Sequence, residues 1–304
     1  MNQFFQTVIA VLEDIDAPWE IICVDDGSSD HTLEHLLTAA RANPAISVLA
    51  LSRNFGKESA LTAGIESSSG DVLVLIDADL QDPPMLIGDM LEKWREGYDV
   101  VYGVRQSRNE DSLTKRVTAG GFYRIFNALT SVPVPENTGD FRLMDRRVAD
   151  RLRELPERTR FMKGLFAWLG YKSTAVYYDR PGREVGQSAW NYWKLWNFAL
   201  DGLTSFSTAP LRVWTYIGVI VSLLSFGYAS FLIFRTLIAG VDLPGYASLM
   251  VVILFLGGVQ LISLGVLGEY LGRVFIEVKQ RPIYLIDRAY HFPTGETNAP
   301  DDSA

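Results

Sequence analysis

The sequence predicts an α/β protein, a doubly wound and mostly parallel sheet followed by a two-helix transmembrane hairpin. Three observations carry that prediction. Short aliphatic runs alternate with helical patterns along the first half of the chain, two of those runs end in carboxylate clusters, and two later segments are long, apolar and uncharged. Strands alternating with helices at this spacing pair in parallel under a helical cover. An apolar run of about 22 residues makes a helix of roughly 33 Å, enough to cross the hydrocarbon core of a bilayer.

The elements follow in order. Phe4, Phe5, Val8, Ile9 and Leu12 recur at three- and four-residue spacing, so the chain opens in an amphipathic helix. "WEIICV" reads as a strand, "SDHTLEHLLTAARAN" as a helix capped by Ser29 or Asp30, and "ISVLAL" as the next strand. "KESALTAGIESSS" is a helix, "DVLVLI" a strand buried on both faces, "PMLIGDMLEKWREG" a helix with prolines at its start, and "DVVYGV" a strand. A helical stretch from Ser112 to Ser131 precedes "GDFRLMD", a short strand, and a helix to about Leu155. "STAVYYDR" has strand character. It leads into "SAWNYWKLWNFALDG", where Trp190, Trp193 and Trp196 form one helical stripe, the pattern of a helix lying among lipid headgroups.

Val213 to Phe234 carries no charge, and Ala247 to Gly268 has only Gln260 as a strongly polar side chain. The short linker "RTLIAGVDLPGY" makes the two spans a hairpin. Lys194, Arg212, Arg273, Lys279, Arg281 and Arg288 flank the side of the termini, against Arg235 by the linker, which places both termini in the cytoplasm. The chain then divides into a sheet domain over 1–186, juxtamembrane helices over 187–211, the two spans over 212–272 and a cytoplasmic segment over 273–304.

The totals exclude some functions. A net charge of -8 and a pI near 5.0 argue against nucleic acid, whose phosphates are held by excess Lys and Arg. One cysteine, Cys23, rules out an internal disulfide and a thiolate cluster, and between Ile22 and Val24 it reads as a small buried hydrophobe. His31 and His35 lie one helical turn apart with no third ligand near, so they belong to a solvated face. "MNQFFQTVIAVLEDI" lacks the basic start and cleavage site of a signal peptide.

The chemistry concentrates in "LVLIDADLQDPP", Leu73 to Pro84. Asp77 and Asp79, at alternate positions beyond a buried strand, point the same way, with Gln81 following. Ligands bind at the carboxyl ends of strands in open α/β sheets. Like charges this close need a cation among them, and oxygen donors of this kind suit Mg²⁺ or Mn²⁺ with phosphate as a further ligand. "VDDGSSD", Val24 to Asp30, brings Asp25 and Asp26 to the same edge.

"VDDGSSDHT", "SRNFGKESALTAGI", "GDVLVLIDADLQDPP", "GDFRLMDRRV", "REVGQSAWNYWKLWNFALDGLTSFSTAPLR" and "LGVLGEYLGRVFIEVKQRPIYLI", in that order, resemble the inverting family 2 glycosyltransferases that load a sugar onto a polyprenyl phosphate. The likeness is strongest to bacterial bactoprenol glucosyltransferases, relatives of dolichol-phosphate mannosyltransferase. It implies a GT-A fold and a metal-dependent hexosyltransferase of the bacterial inner membrane, catalytic domain in the cytoplasm, making a lipid-linked sugar for cell-envelope glycans. The divalent cation, Mg²⁺ or Mn²⁺, is expected on Asp79 and Gln81. Asp26 with Asp25 would hold the base, Asp77 would face the ribose or diphosphate, and Lys57 and Asp79 join the nucleotide-sugar site. Asp140, Asp79 and Arg142 are the expected catalytic set. Arg183 and Ser188, with Arg116, Arg124 and Lys194, are the expected acceptor-phosphate set. UDP-glucose is the leading donor, ahead of UDP-galactose, UDP-N-acetyl sugars and GDP-mannose, and undecaprenyl phosphate is the acceptor. The resemblance also implies a homo-oligomer and a separate flippase for the product.

The chain departs from that pattern twice. The family opens with a central strand and a "P-x-Y-N-E" loop, both absent here, so a displaced or truncated start, exposed strand edges and weaker nucleotide binding are expected. Ala189 stands where "G-x-S-K-Y/W" has its lysine, so acceptor binding is expected to weaken or to borrow Lys194. A polymerising synthase would carry "Q-x-x-R-W", and Gln187-Ser188-Ala189-Trp190 lacks the arginine. The competing reading is a catalytically inactive, membrane-anchored nucleotide-sugar-binding or scaffold protein.

Overall fold

The structure, a computed structural model, describes residues 1–105, 138–178, 207–239 and 245–292. Its elements run α1 (Asn2–Glu13), β1 (Ile21–Asp25), α2 (Thr32–Ala42), β2 (Ile46–Leu51), α3 (Lys57–Ser67), β3 (Val72–Leu75) and α4 (Leu86–Arg95). They continue with β4 (Val100–Arg105), β5 (Thr138–Asp145), α5 (Arg146–Glu154), α6 (Met162–Trp168), β6 (Ser173–Tyr178), α7 (Ala209–Ala239), α8 (Tyr246–Lys279) and β7 (Ile286–Tyr290). The helical stretch over 112–131 and the tryptophan stripe lie outside the described residues.

The alternation of strand and helix is as expected, but the pairing is mixed where a mostly parallel sheet was expected. One sheet has the order β1-β2-β7 and the other β3-β5-β4-β6. β1 and β2, joined through α2, are parallel, as are β4 and β6, with α5 and α6 between them in the chain. β5 inserts between β3 and β4 and runs opposite to both, and β7 returns from the far end of the chain to lie antiparallel on β2. Parallel pairing therefore survives only where a helical crossover returns the chain to the same end of the sheet. Among the described residues β1 pairs only with β2 and β3 only with β5, so each has one unpaired edge.

Local sequence sets the helix starts. Asp30 Oδ1 accepts from Thr32 N at 3.0 Å before α2, and Asp145 Oδ1 accepts from Arg147 N at 2.9 Å as the cap of α5. Pro83 and Pro84 lend their carbonyls to Leu86 N and Ile87 N at the start of α4. Gly27 has φ +65°, and a Cβ there would come 2.5 Å from the Arg53 carbonyl carbon. Only glycine permits that approach, which seats the turn after β1 on the loop before α3.

Packing fixes β5 most firmly. Phe141 and Leu143 face Ile87 and Met90 of α4, while Met144 faces Val148 and Leu152 of α5 and Met162 and Leu165 of α6. Leu143 and Met144 are fully buried on opposite faces. Each contributes about 1.5–3 kcal/mol by burial, so β5 is held by packing on both faces as well as by two ladders. α1 closes the other side, with Phe4, Phe5 and Val8 on Leu36, Ala40, Ile46 and Val48. Cys23 is partly buried against that cluster, and burial pushes its thiol up to about 12. His31 and His35 are exposed, as expected of a solvated face, with His31 Nδ1 2.9 Å from Glu34.

α7 and α8, of 31 and 34 residues, contain the two expected spans. Leu223, Phe226 and Leu237 on α7 and Leu261 and Leu264 on α8 are exposed, so these helices turn their apolar side chains outward, as membrane association requires. α7 continues past Arg235 into the expected linker, and α8 runs eleven residues beyond Gly268 to Lys279.

Candidate active site

The site grows from the antiparallel register of β3 and β5. Val72 pairs with Asp145 and Leu75 with Arg142, so continuing the register sets Asp77 opposite Asp140. Two carboxylates facing each other across a strand pair repel. The first residue of α3 resolves the conflict: Lys57 Nζ lies 2.7 Å from Asp77 Oδ2 and 2.7 Å from Asp140 Oδ2.

Three of the expected residues, Lys57, Asp77 and Asp140, are thus brought together. Asp79 is exposed beyond them, one oxygen accepting from Gln81 N at 3.1 Å, and Leu80 between them turns the chain with φ 56°. Gln81 and Asp82 are buried. Asp82 anchors this turn from below: the Tyr178 hydroxyl donates to it, and Arg105 Nη2 lies 3.6 Å away, so the ends of β6 and β4 hold the loop. Among the described residues no three His, Cys, Asp or Glu side chains converge as metal ligands.

Arg142, expected in the catalytic set beside Asp140, is there but turned inward. It is only 5% exposed, stacks 3.7 Å above the Phe166 ring and donates to the Gly139 carbonyl at 3.0 Å. Burial pushes its guanidinium down to about 10, against the pull of Asp140 and Glu58. Its geometry supports the backbone that carries Asp140. Asp26, expected with Asp25 to hold a nucleotide base, accepts from Phe55 N at 2.7 Å and Gly56 N at 2.8 Å and so clasps the loop before α3. Asp25 has the spare acceptor. It is 4% exposed, Oδ2 accepts from Ser28 N at 3.3 Å, and Oδ1 is buried without a hydrogen-bond partner. The expected acceptor residues Arg116, Arg124, Arg183, Ser188 and Lys194, and Ala189 with them, lie outside the described residues.

Two participants escape a reading of the sequence alone. Glu58, next to Lys57, accepts from Met162 N at 3.2 Å and faces Asp140 and Lys163. Lys163 donates to the Thr138 carbonyl at 3.1 Å. Burial first, then the Asp140 charge, raise the Glu58 carboxyl to about 7, against Met162 N–H, Lys163 and Lys57. Burial pushes Asp140 upward too, yet Lys163, Lys57 and Arg142 outweigh it and hold its carboxyl below the usual range. The "KE" after a positive-φ glycine was the one local hint of Glu58. Lys163 had none, because α6 meets β5 only in the fold.

A glycosyl transferase family 2 profile matches residues 3–153, and a GtrB C-terminal hairpin profile matches residues 209–274. An uncharacterized glycosyltransferase of Synechocystis sp. is 59% identical over 94% of this chain and 90% of its own. The chain belongs to glycosyl transferase family 2. Its α/β part is the expected GT-A fold, here divided over two sheets, and its apolar helices form the expected hairpin. The family 2 relatives include the bactoprenol glucosyl transferase of Shigella phage SfII, 48% identical over 94% of this chain and 93% of that one. The prophage bactoprenol glucosyl transferase homolog of Escherichia coli (strain K12) is 47% identical over the same shares. Among solved structures, a mannosyltransferase from Pyrobaculum calidifontis in complex with GDP-Man and Mn²⁺ superposes over 78% of this chain and 80% of that one. Its TM-score is 0.39 at 16% identity, too loose an overlay to carry argument.

The raised Glu58 carboxyl has a consequence for stability. Its folded value near 7 exceeds the ordinary 4.5, so the folded chain binds the extra proton. That contribution is full below about pH 4.5 and is lost as pH rises through about 7. Glu58→Gln is expected to flatten the fall in unfolding temperature between pH 5.5 and 7.5, read by thermal unfolding in detergent.

Proposed function

We propose that this family 2 glycosyltransferase transfers glucose from a nucleotide sugar, with UDP-glucose as the donor, to a polyprenyl phosphate with inversion, and that undecaprenyl phosphate is the acceptor. The observation that carries the reading is the Lys57 ammonium between Asp77 and Asp140, at the strand end of a domain joined to an outward-apolar hairpin. The names of the bactoprenol glucosyl transferases, similar over nearly the whole chain, support donor sugar and acceptor alike. The reading of an inactive scaffold finds no support among relatives named as bactoprenol glucosyl transferases.

Asp25, with its open buried oxygen, takes the role of base acceptor, which the sequence had shared with Asp26. Lys57 and Asp77 orient the ribose and diphosphate. The loop from Asp77 to Gln81 offers only hard oxygen donors, and Asp79 keeps an oxygen free of the Gln81 N–H, so the residues fit Mg²⁺ or Mn²⁺ on Asp79 and Gln81. A divalent cation held there would neutralise the departing diphosphate.

A phosphate oxygen of the acceptor attacks the anomeric carbon as the bond to the diphosphate breaks, giving the inverted glucosyl phospholipid and a nucleoside diphosphate. The phosphate monoester has its second pKa near 6 and brings its own negative charge to the reaction. A carboxylate held low and paired to a lysine is a weak base. Asp140 therefore holds Lys57 and balances charge, and the site works by bringing two anions together. Arg116, Arg124, Arg183, Ser188 and Lys194 make up the proposed acceptor-phosphate set.

The domain divisions at 186, 211 and 272, a bacterial inner membrane location with the catalytic domain in the cytoplasm, a homo-oligomer and a flippase that consumes the product complete the proposal. The product serves cell-envelope glycans.

Purified protein with labelled UDP-glucose, Mn²⁺ and undecaprenyl phosphate is expected to place label in the lipid extract, and Asp79→Asn to reduce it by about 100-fold or more. Label absent from the lipid with every nucleotide sugar offered would overturn the reading. Asp140→Asn is expected to retain more of its turnover at pH 7.5 than at pH 5.5, because the acceptor is dianionic only at the higher pH. Equal and complete loss at both would make Asp140 the obligatory base.

A further inference from the structure

The end of the second apolar helix grips the catalytic domain. Glu277, in the last turn of α8, accepts from Arg158 N at 2.9 Å and from Thr159 N at 3.1 Å, and its second oxygen lies 3.0 Å from Arg158 N. A carboxylate that takes two backbone N–H groups makes charge-assisted bonds, roughly twice as strong as neutral ones. The segment it holds is tied into the domain core. Arg160 donates to the carbonyls of Leu152 and Leu155, Phe161 and Met162 are buried, and Met162 N reaches Glu58 beside the Lys57 ion pair. Five residues past the end of α8, the chain begins to dock a second time. The Tyr284 hydroxyl donates to Glu66 at the far end of α3, Ser52 N bonds the Leu285 carbonyl, and β7 pairs with β2.

The length of α8 gives this grip a purpose. Its 34 residues rise about 51 Å, against a hydrocarbon core of about 30 Å. About 20 Å must stand outside, and Glu269, Arg273, Glu277 and Lys279 place the excess at the C-terminal end. A helix that leaves the bilayer and is clamped to the domain at its last turn acts as a fixed strut. We propose that Glu277 is a positioning residue that locks α8 to the 158–162 segment and so sets the height and tilt of the Lys57 site over the membrane surface where the acceptor phosphate lies. This rests on the polyprenyl-phosphate reading above. Glu277 touches no substrate, and its effect falls on the meeting with a bilayer-borne acceptor.

The test compares two acceptors on the full-length protein in phosphatidylethanolamine–phosphatidylglycerol vesicles: undecaprenyl phosphate in the same bilayer, and a short water-soluble prenyl phosphate. Glu277→Ala is expected to raise the KM for undecaprenyl phosphate by about five-fold or more, leaving the KM for UDP-glucose and the turnover of the soluble acceptor within about two-fold of wild type. Glu277→Gln, which keeps one acceptor oxygen, should fall between. Hydrogen exchange provides a readout independent of turnover: the amides of Arg158 and Thr159 should lose protection in Glu277→Ala, while those of Leu143 and Met144 keep it. Equal loss on both acceptors would overturn the proposal in favour of a general structural role. Unchanged kinetics on both, or unchanged protection at Arg158 and Thr159, would also overturn it. Wild-type protein that glucosylates neither acceptor would sink the parent reading instead.

Discussion

Lys57 Nζ sits 2.7 Å from Asp77 in the loop after β3 and 2.7 Å from Asp140 on β5, and the arrangement of the site depends on that one cation. The β3–β5 ladder ends at Leu75 and Arg142, and just beyond it Asp77 and Asp140 lie close enough to share one ammonium, where two unscreened anions would push the chain segments apart. The ammonium turns the repulsion into a bridge, and both Asp140 and Asp77 raise the lysine's own pKa above its ordinary value, against burial. The supports around it share this task. Asp26 clasps the loop that starts α3, Glu58 ties the second residue of α3 to α6, and Arg142 holds the backbone beneath Asp140. Lys57 offsets one of the two carboxylate charges it touches, which lowers the repulsion that a nucleoside diphosphate and a phosphate ester would meet in a chain of net charge -8.

Much of this was legible in the chain. "LVLIDADLQDPP" announced a strand ending in carboxylates, and β3 with its exposed Asp79 is that strand, but only Leu73 of its four residues is buried where burial on both faces was expected, because β3 ends its sheet among the described residues. Strand and helix patterns carry local periodicity, so α1 to β4 and the two apolar helices could be read residue by residue. Direction of pairing carries none. Nothing in "GDFRLMD" says that β5 inserts antiparallel between β3 and β4, and that insertion is what brings Asp140 to Asp77. β7 was hidden for the same reason: five residues, Ile286–Tyr290, find their partner in β2, more than two hundred residues back in the chain.

Roles were harder to read than positions. Asp25 and Asp26 are adjacent and chemically identical, yet one has a buried open oxygen and the other spends its carboxylate on Phe55 and Gly56. The difference comes from Gly27, whose positive φ lets the loop at Arg53 close against the turn. Glu58 and Lys163 are ordinary charged residues of amphipathic helices until α3 and α6 pack beside β5. Among the described residues β1 and β3 each end a sheet on the side near the site, and packing by α1 and the clasp of Glu20 on Ser69 and Gly70 hold the two sheets together.

The central claim, that a lysine bridge between Asp77 and Asp140 is the working centre of a glucosyl transfer, is tested most directly by Lys57→Met. Steady-state transfer from UDP-glucose to undecaprenyl phosphate is the measurement, with thermal unfolding as the check on folding. Turnover is expected to fall by about 100-fold or more in a chain that still folds, because the ammonium that offsets Asp77 and Asp140 is gone. Turnover within about three-fold of wild type in the folded variant would contradict it.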